Sequence, residues 1–369
     1  MDWILNLSHT LLSFIVILSV IVFIHEFGHY FIARLCGVKI ESFSIGFGKE
    51  FFGFTDRAGT RWKFSLLPLG GYVKMFGDSS AASTPDGNKL EKMSSEEKAV
   101  SFHYKKLWQK SLIVAGGPLF NFLTTIIVFT WFAFSNGIIS TAPVIGEVIE
   151  DSAAQEAGLQ IGDRIMEVND SSVEVFHDIP VQIITNLGTE ITIKLKRDNE
   201  IISLPITPKI IKTTDNFGNE VEQPLIGIRS QKLTFQDVGV TEALSHALKR
   251  TWEITTATLK VLGQLISGQR DTSQLKGPIG IAQMSGQAAD AGTDNVLWFI
   301  ALLSANLGLI NLLPIPMLDG GHLLYYAVEA SRGGKPMAEK VQQFGYRLGG
   351  ALLITLMAFT IINDIVNLI

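Results

Sequence analysis

Leu11-Leu12-Ser13-Phe14-Ile15-Val16-Ile17-Leu18-Ser19-Val20-Ile21-Val22-Phe23-Ile24 carries no charge and runs directly into His25-Glu26-Phe27-Gly28-His29. An apolar helix of about 20 residues is long enough to cross a bilayer, so this stretch reads as a membrane span with a polar end. Positions four apart share a helix face, so His25 and His29 can hold one divalent ion between them. Glu26, one step round, is placed to take a proton from a water at that ion. A soluble protein has no reason to keep such a pattern inside an apolar segment. The location is as informative as the residues.

The rest of the 369-residue chain leaves room for a membrane bundle plus one domain, or for two or three soluble domains. A hydrophobic content of 47% fits either, but a mean hydropathy of +0.30 favours the membrane. The net charge of −5 gives no case for a nucleic-acid partner. Cys36 is the only cysteine, which excludes an intrachain disulfide. No Lys or Arg precedes the apolar run and no small-x-small cleavage site follows it, so the first helix is expected to be retained.

Three further apolar stretches are candidate spans, about Ser111–Phe134, Val296–Leu318 and Leu348–Asn363. Pro314 and Pro316 remove backbone donors from the third and should kink or end it. Basic residues set the orientation. They cluster between spans one and two, from Lys39 to Lys110, and between spans three and four, at Arg332, Lys335 and Lys340. Residues 1–24 and 348–369 have none. The expectation is a multi-pass protein of the inner (cytoplasmic) membrane with both termini outward. Spans one and three then run in the same sense, and His25–His29 arrives at the same depth as Leu318-Asp319-Gly320-Gly321-His322, towards the cytoplasmic side.

A catalytic metal usually takes three protein ligands and keeps one position open. Asp319 is the best candidate for the third, because a lone carboxylate at the end of an apolar span is costly without a cationic partner. The unwound backbone around Pro314 and Pro316 is tolerated at that depth only against protein or a wet cavity. The Asn311 amide there can bond a peptide or another helix. His322 reads as a supporting group or a helix-start residue. His9, His103, His177 and His246 read as surface or core.

Residues 37–78 alternate in the manner of strands, with Asp56-Arg57-Ala58-Gly59 as a turn and Gly46-Phe47-Gly48 as punctuation. A helical substrate hides its backbone in its own hydrogen bonds, and an edge strand is one way to hold it extended. Residues 79–100 read as a mobile cytoplasmic loop. Between 142 and 230 lie a strand at Val144–Val148, a short helix ending near Gly158, and strands at Arg164–Val168, Glu190–Lys196 and Ile201–Ile206. Residues 235–268 have helical periodicity, either as an amphipathic helix on the membrane surface or as a linker helix packed on the bundle.

His25-Glu26-Phe27-Gly28-His29 in one span and Asn311-Leu312-Leu313-Pro314-Ile315-Pro316-Met317-Leu318-Asp319-Gly320-Gly321-His322 in another resemble the site-2 protease family of intramembrane zinc metalloproteases, of the bacterial sigma-E protease type. Ala115-Gly116-Gly117-Pro118-Leu119-Phe120-Asn121-Phe122 and Lys276-Gly277-Pro278-Ile279-Gly280-Ile281-Ala282 extend the resemblance to nearly the whole chain. It implies Zn²⁺ on His25, His29 and Asp319, with Glu26 as the catalytic base. Asn311, with the Pro314 and Pro316 region, then helps hold substrate, as does a membrane-associated β-hairpin carrying Gly46, Phe47 and Gly48. Residues 142–230 resemble a circularly permuted PDZ domain with Pro224–Arg229 as a late strand. That likeness implies peptide chain ends as ligands, with a groove near Val144, Ile145 and Gly146.

The resulting fold class is an α-helical membrane bundle of four transmembrane helices with the β-hairpin region and one inserted PDZ (α+β) domain. Its parts are helix 1 (1–36), hairpin (37–78), cytoplasmic loop (79–110), helix 2 (111–136), PDZ domain (142–230), amphipathic helix and linker (235–294), helix 3 (295–327) and helix 4 (343–369). By resemblance the function is regulated intramembrane proteolysis, with anti-sigma factors or remnant signal peptides as substrates and the lipid bilayer as surroundings. A non-catalytic PDZ scaffold and a metal transporter are the rivals. Retention of Glu26 argues against the first, since a structural metal needs no base, and the lack of inverted repeats argues against the second.

Overall fold

The computed structural model describes residues 2–78, 90–184, 189–214, 220–230, 234–269, 275–335 and 337–366. The chain divides into two compact units, Met1–Val128 with Ser273–Ile369, and Phe129–Thr272. Among the described residues, Leu7–Leu35, Leu107–Asn136, Thr293–Leu312 and Lys340–Val366 are helical and apolar enough to cross a membrane.

In the first unit, helix α1 (Asp2–Leu35) leads into β1 (Ile40–Thr55) and β2 (Arg61–Met75). Each strand doubles back, so four segments lie side by side. Phe52–Thr55 pairs with Arg61–Phe64, that segment with Ser42–Ile45, and Ser42–Ile45 in turn with Gly71–Lys74. Phe43, fully buried, stacks on Trp62 with ring centroids 4.4 Å apart and meets Phe23 and Tyr30 at 5.6 and 5.9 Å. An aromatic stripe at Phe23, Phe27 and Tyr30 thus docks the sheet on one face of α1, leaving His25 and His29 on another.

Residues 79–89 of the expected loop lie outside the described residues. Beyond them, Ser94 and Glu97 cap each other's backbone amides and start a helix, α2 (Ser95–Val100), where a loop was expected. Asp78, buried, accepts hydrogen bonds from the Met75 amide at 2.9 Å and His103 Nε2 at 2.8 Å. The second span, α3 (Leu107–Asn136), begins four residues before the expected 111 and contains Pro118.

In the second unit, β3 (Ile138–Ile139), β4 (Ile145–Val148), helix α4 (Ala153–Glu156), β5 (Arg164–Val168), β6 (Ser171–Ser172) and helix α5 (Asp178–Ile184) come first. They are followed by β7 (Ile191–Arg197), β8 (Glu200–Ile206), β9 (Lys209–Thr214), β10 (Glu220–Leu225), β11 (Ile228–Ser230) and β12 (Phe235–Gln236). The largest sheet runs β6-β5-β7-β8, while β4 pairs with the late β11. Alternate residues of β7, Ile191, Ile193 and Leu195, are buried against Ile145, Ile165, Ile179 and Ile183. Residues 235–236, expected to open the helix, instead pair with β3, and helix α6 (Val240–Ile266) starts after Gly239. Helix α6 buries Ala243, Ala247 and Thr251 and leaves Leu244, Leu248 and Trp252 exposed.

Asp163 is 1% exposed and takes both Arg197 Nε at 2.8 Å and Nη2 at 2.7 Å, plus the Gln160 amide at 2.9 Å. Burial alone raises its carboxyl, but these donors outweigh it and hold the group below the usual aspartate range. A carboxylate depressed on folding stabilises above its unfolded pKa of about 4, and that stability is lost as pH falls through the folded value. Hydrogen exchange at Ile191–Arg197 in the intact chain, corrected for intrinsic rate, is therefore expected to speed up below about pH 4. Asp163→Asn should cost about 3 kcal/mol at neutral pH and remove much of that acid sensitivity. Equal acid responses in the two proteins would show that Asp163 is not the group responsible.

The first unit resumes with α7 (Pro278–Asp290), α8 (Thr293–Leu312), α9 (Asp319–Ser331) and α10 (Glu339–Val366). Helix α7 falls in the expected linker. Its N-terminal amides have an acceptor: buried Asp364 of α10 takes Gly277, Ile279 and Gly280 N–H at 2.9, 3.0 and 3.0 Å. The third span ends at Leu312, ahead of Pro314, and the chain restarts as α9 at Asp319. Helix α10 runs through Gly349-Gly350 and so begins before the expected 343, since one glycine in a helix costs only about 1 kcal/mol.

Candidate active site

His25 and His29 stand on α1 one turn apart, and Asp319 opens α9. The three meet. His25 Nε2 lies 3.3 Å from His29 Nε2 and 3.2 Å from Asp319 Oδ2, and His29 Nε2 lies 3.5 Å from Asp319 Oδ1. Ligand atoms around a tetrahedral ion with bonds of about 2.0–2.1 Å sit about 3.4 Å apart, so the spacing matches one face of such a site. Buried Asp319 Oδ2 has no hydrogen-bond partner, the condition of an oxygen whose partner is a cation. The residues fit a metal.

Helix α3 forms the wall behind them. Gly28 and Gly116 face each other so closely that a Cβ on Gly28 would lie 2.2 Å from the Gly116 carbonyl oxygen. One residue on, a Cβ on Gly117 would lie 2.4 Å from His29 Nε2 and 2.7 Å from His25 Cε1. Pro118 cannot donate to the Val114 carbonyl, which loosens this turn. Beside it the Ile113 carbonyl accepts the His29 Nδ1 hydrogen at 2.9 Å. A carbonyl can only accept, so His29 carries a hydrogen on Nδ1, which in the neutral ring leaves Nε2 free to ligate.

A cavity of about 300 Å³ opens on these groups. Glu26, Asn311 and His322 line it, together with Gly71, Tyr72 and Val73 of β2 and with Tyr326 and Tyr346. The Val73 amide donates to the Glu26 carboxylate. Among the described pairings, Gly71–Lys74 is bonded only to Ser42–Ile45, so its other edge faces the cavity. Met317, at φ +86°, also lines it, in a left-handed backbone conformation that costs a non-glycine residue about 1–3 kcal/mol.

Not every expected residue reaches the cavity wall. Gly46, Phe47 and Gly48 sit at the bend of β1; Phe47 stacks on Tyr72 at 6.0 Å, and it is the Tyr72 segment that lines the cavity. Pro314 and Pro316 shape the break between α8 and α9, with the Pro316 carbonyl packed on Gly349 of α10. His322 stacks near Tyr346 at 5.6 Å and lies outside the ligand trio. In the second unit Val144 bridges to Arg164, Ile145 bonds to Asp163 and pairs with Ser230, and its side chain is fully buried. The backbone there is engaged on both sides, whereas β11 pairs with β4 alone among the described residues. Sequence reasoning passed over Gly117, Asn121 and Gly71–Val73. The first two stood in a quoted motif, with no role to be read from spacing alone.

Two histidines and a carboxylate at metal-ligand spacing with a glutamate beside them are the donor set a metallohydrolase needs, and His25 and His29 stand on a helix apolar enough to cross a membrane. The comparisons agree. The model of peptidase family M50 matches residues 13–356, and the chain belongs to that family. A protein of Agrobacterium fabrum, provisionally named a zinc metalloprotease, is 42% identical over 367 residues, covering 98% of this chain and 97% of its own. Metalloprotease MmpA of Caulobacter vibrioides is 35% identical over 378 residues, covering 96% and 95%. Among solved structures, the PDZ domain of an SdrC-like protein from Listeria innocua matches 26% of this chain and 99% of its own at 26% identity, with a TM-score of 0.21.

Proposed function

We propose that the chain is an intramembrane zinc endopeptidase that cuts transmembrane segments of membrane proteins near their cytoplasmic ends, as a step in regulated intramembrane proteolysis. The observation that carries this reading is the convergence of His25, His29 and Asp319 at tetrahedral spacing, with Glu26 in the same cavity. His25, His29 and Asp319 would hold Zn²⁺, which when bound supplies Lewis acidity to water and to the peptide carbonyl. Glu26 takes the proton of the attacking water and delivers it to the leaving amine. The cavity-facing edge of Gly71–Val73, apart from the Val73 amide that Glu26 takes, is suited to pair with an unwound substrate segment, and the Asn311 amide to bond its backbone.

The charge pattern supports an inner-membrane protein with outward termini, which puts the PDZ-like unit outside the cytoplasm. There the unit would screen or bind peptide ends, at the Val144–Gly146 region or at the neighbouring edge of β11. Anti-sigma factors and remnant signal peptides are the substrate classes that the family resemblance suggests.

The test is cleavage of a model transmembrane substrate by the full chain in detergent, before and after metal removal. A chelator should abolish cleavage, and stoichiometric Zn²⁺ should restore it. Cleavage that survives complete metal removal, or a zinc-loaded protein inert towards every helical membrane substrate, counts against the proposal.

A further inference from the structure

We propose that Asn121 is a positioning residue for the metal centre. Its side-chain carbonyl accepts the Nδ1 hydrogen of His25 and thereby leaves His25 Nε2 bare to ligate. The inference rests on the metal-site reading above.

As placed, Asn121 Nδ2 lies 3.1 Å from His25 Nδ1, and a half-turn of the amide puts Oδ1 there instead. A neutral imidazole carries one proton, so whatever occupies the Nδ1 side decides what Nε2 can do. If the amide NH₂ pointed at Nδ1, the proton would sit on Nε2, only 3.3 Å from His29 Nε2, and His25 could not bind a cation. The oxygen and nitrogen of such an amide exchange by a half-turn, and only the carbonyl-inward orientation is compatible with a ligating His25. As placed, with the nitrogen inward, Asn121 Oδ1 is buried without a partner, so the contact with His25 is the one that decides which atom faces inward. His29 follows the same rule, with the Ile113 carbonyl as its acceptor.

The surroundings fit a part held still. Asn121 is fully buried. Its backbone carbonyl accepts Thr125 Oγ1 at 3.1 Å, and the same hydroxyl reaches the Ala301 carbonyl of α8 at 2.8 Å. A Cβ on Gly308 of α8 would come within 3.3 Å of Asn121 Cβ. Asn121 thus stands where α1, α3 and α8 converge, and an uncharged amide buried there is costly unless its hydrogen bond has a use.

The test compares zinc affinity of wild type, Asn121→Leu and Asn121→Asp in the full chain, by competition with a chelator of known affinity. Leucine removes the acceptor and should weaken zinc binding by about 10–100-fold. Aspartate can only accept, so it should rescue affinity to within about threefold of wild type. Leucine binding zinc as wild type does, or aspartate failing as badly as leucine, overturns the inference. Should either variant not fold, ¹⁵N-histidine spectra of zinc-loaded wild type decide. A proton on His25 Nδ1 supports the inference, and a bare Nδ1 overturns it. A wild type that holds no zinc refutes the metal reading itself, an outcome read without any variant.

Discussion

Glutamine in place of Glu26 is expected to slow peptide hydrolysis by about 10³-fold while leaving zinc content and fold intact. The side chains are nearly isosteric, and the glutamine carbonyl can still accept the Val73 amide that Glu26 now takes. What is lost is the ability to carry a proton from water to the leaving nitrogen. Glu26 is not among the three ligand residues, so metal analysis should return the wild-type stoichiometry. Cleavage rate and zinc content measured on the same preparation separate the two roles. Near-normal cleavage would mean the base is another group in the cavity. Lost zinc would mean that Glu26 is a ligand.

Alanine at Gly117 should do the reverse and remove the metal. Its Cβ would stand 2.4 Å from His29 Nε2 and 2.7 Å from His25 Cε1, closer than real contacts allow. Helix α3 cannot retreat easily, because Gly28 and Gly116 hold it in backbone contact with α1. The imidazoles must therefore turn, and zinc affinity should fall at least about 100-fold, with activity following it. Inductively coupled plasma analysis of the purified variant reads the first effect and substrate cleavage the second. Full zinc and full activity in Gly117→Ala would show that α3 does not pack on the ligands as described.

The contrast between these two residues bears on how much the sequence discloses. His25, Glu26 and His29 are legible because one helix brings them together, so the spacing alone specifies the geometry. Asp319 was reachable through a general cost, that of a carboxylate at the end of an apolar span. Gly117 and Asn121 act across helices, and nothing in their own neighbourhood states what they touch. The sheet shows the same division. Alternation located β1 and β2, but each strand doubles back, and that is why Gly71–Val73 rather than Gly46–Gly48 lines the cavity. Helix α7 was missed because Gly280 and Gly286 depress its local propensity, while the carboxylate that secures it is remote. The capped helix after Ser94 was legible in principle, since Ser94 and Glu97 stand at capping-box spacing, yet the polar composition of the segment obscured it.

Asp364 also bears on the timetable of assembly. The amide of Gly277 waits for an acceptor 87 residues downstream. Helix α7 abuts α1 where Gly286 meets Thr10, so the flank of the helix that bears both histidines is secured only after α10 has been made and inserted. Asp319 likewise joins His25 and His29 from far along the chain. A nascent chain still on the ribosome therefore holds the histidines and the glutamate without the finished scaffold around them. The grouping of His25, His29 and Asp319 forms only after synthesis has passed α9, and the carboxylate that holds α7 arrives later still, with α10.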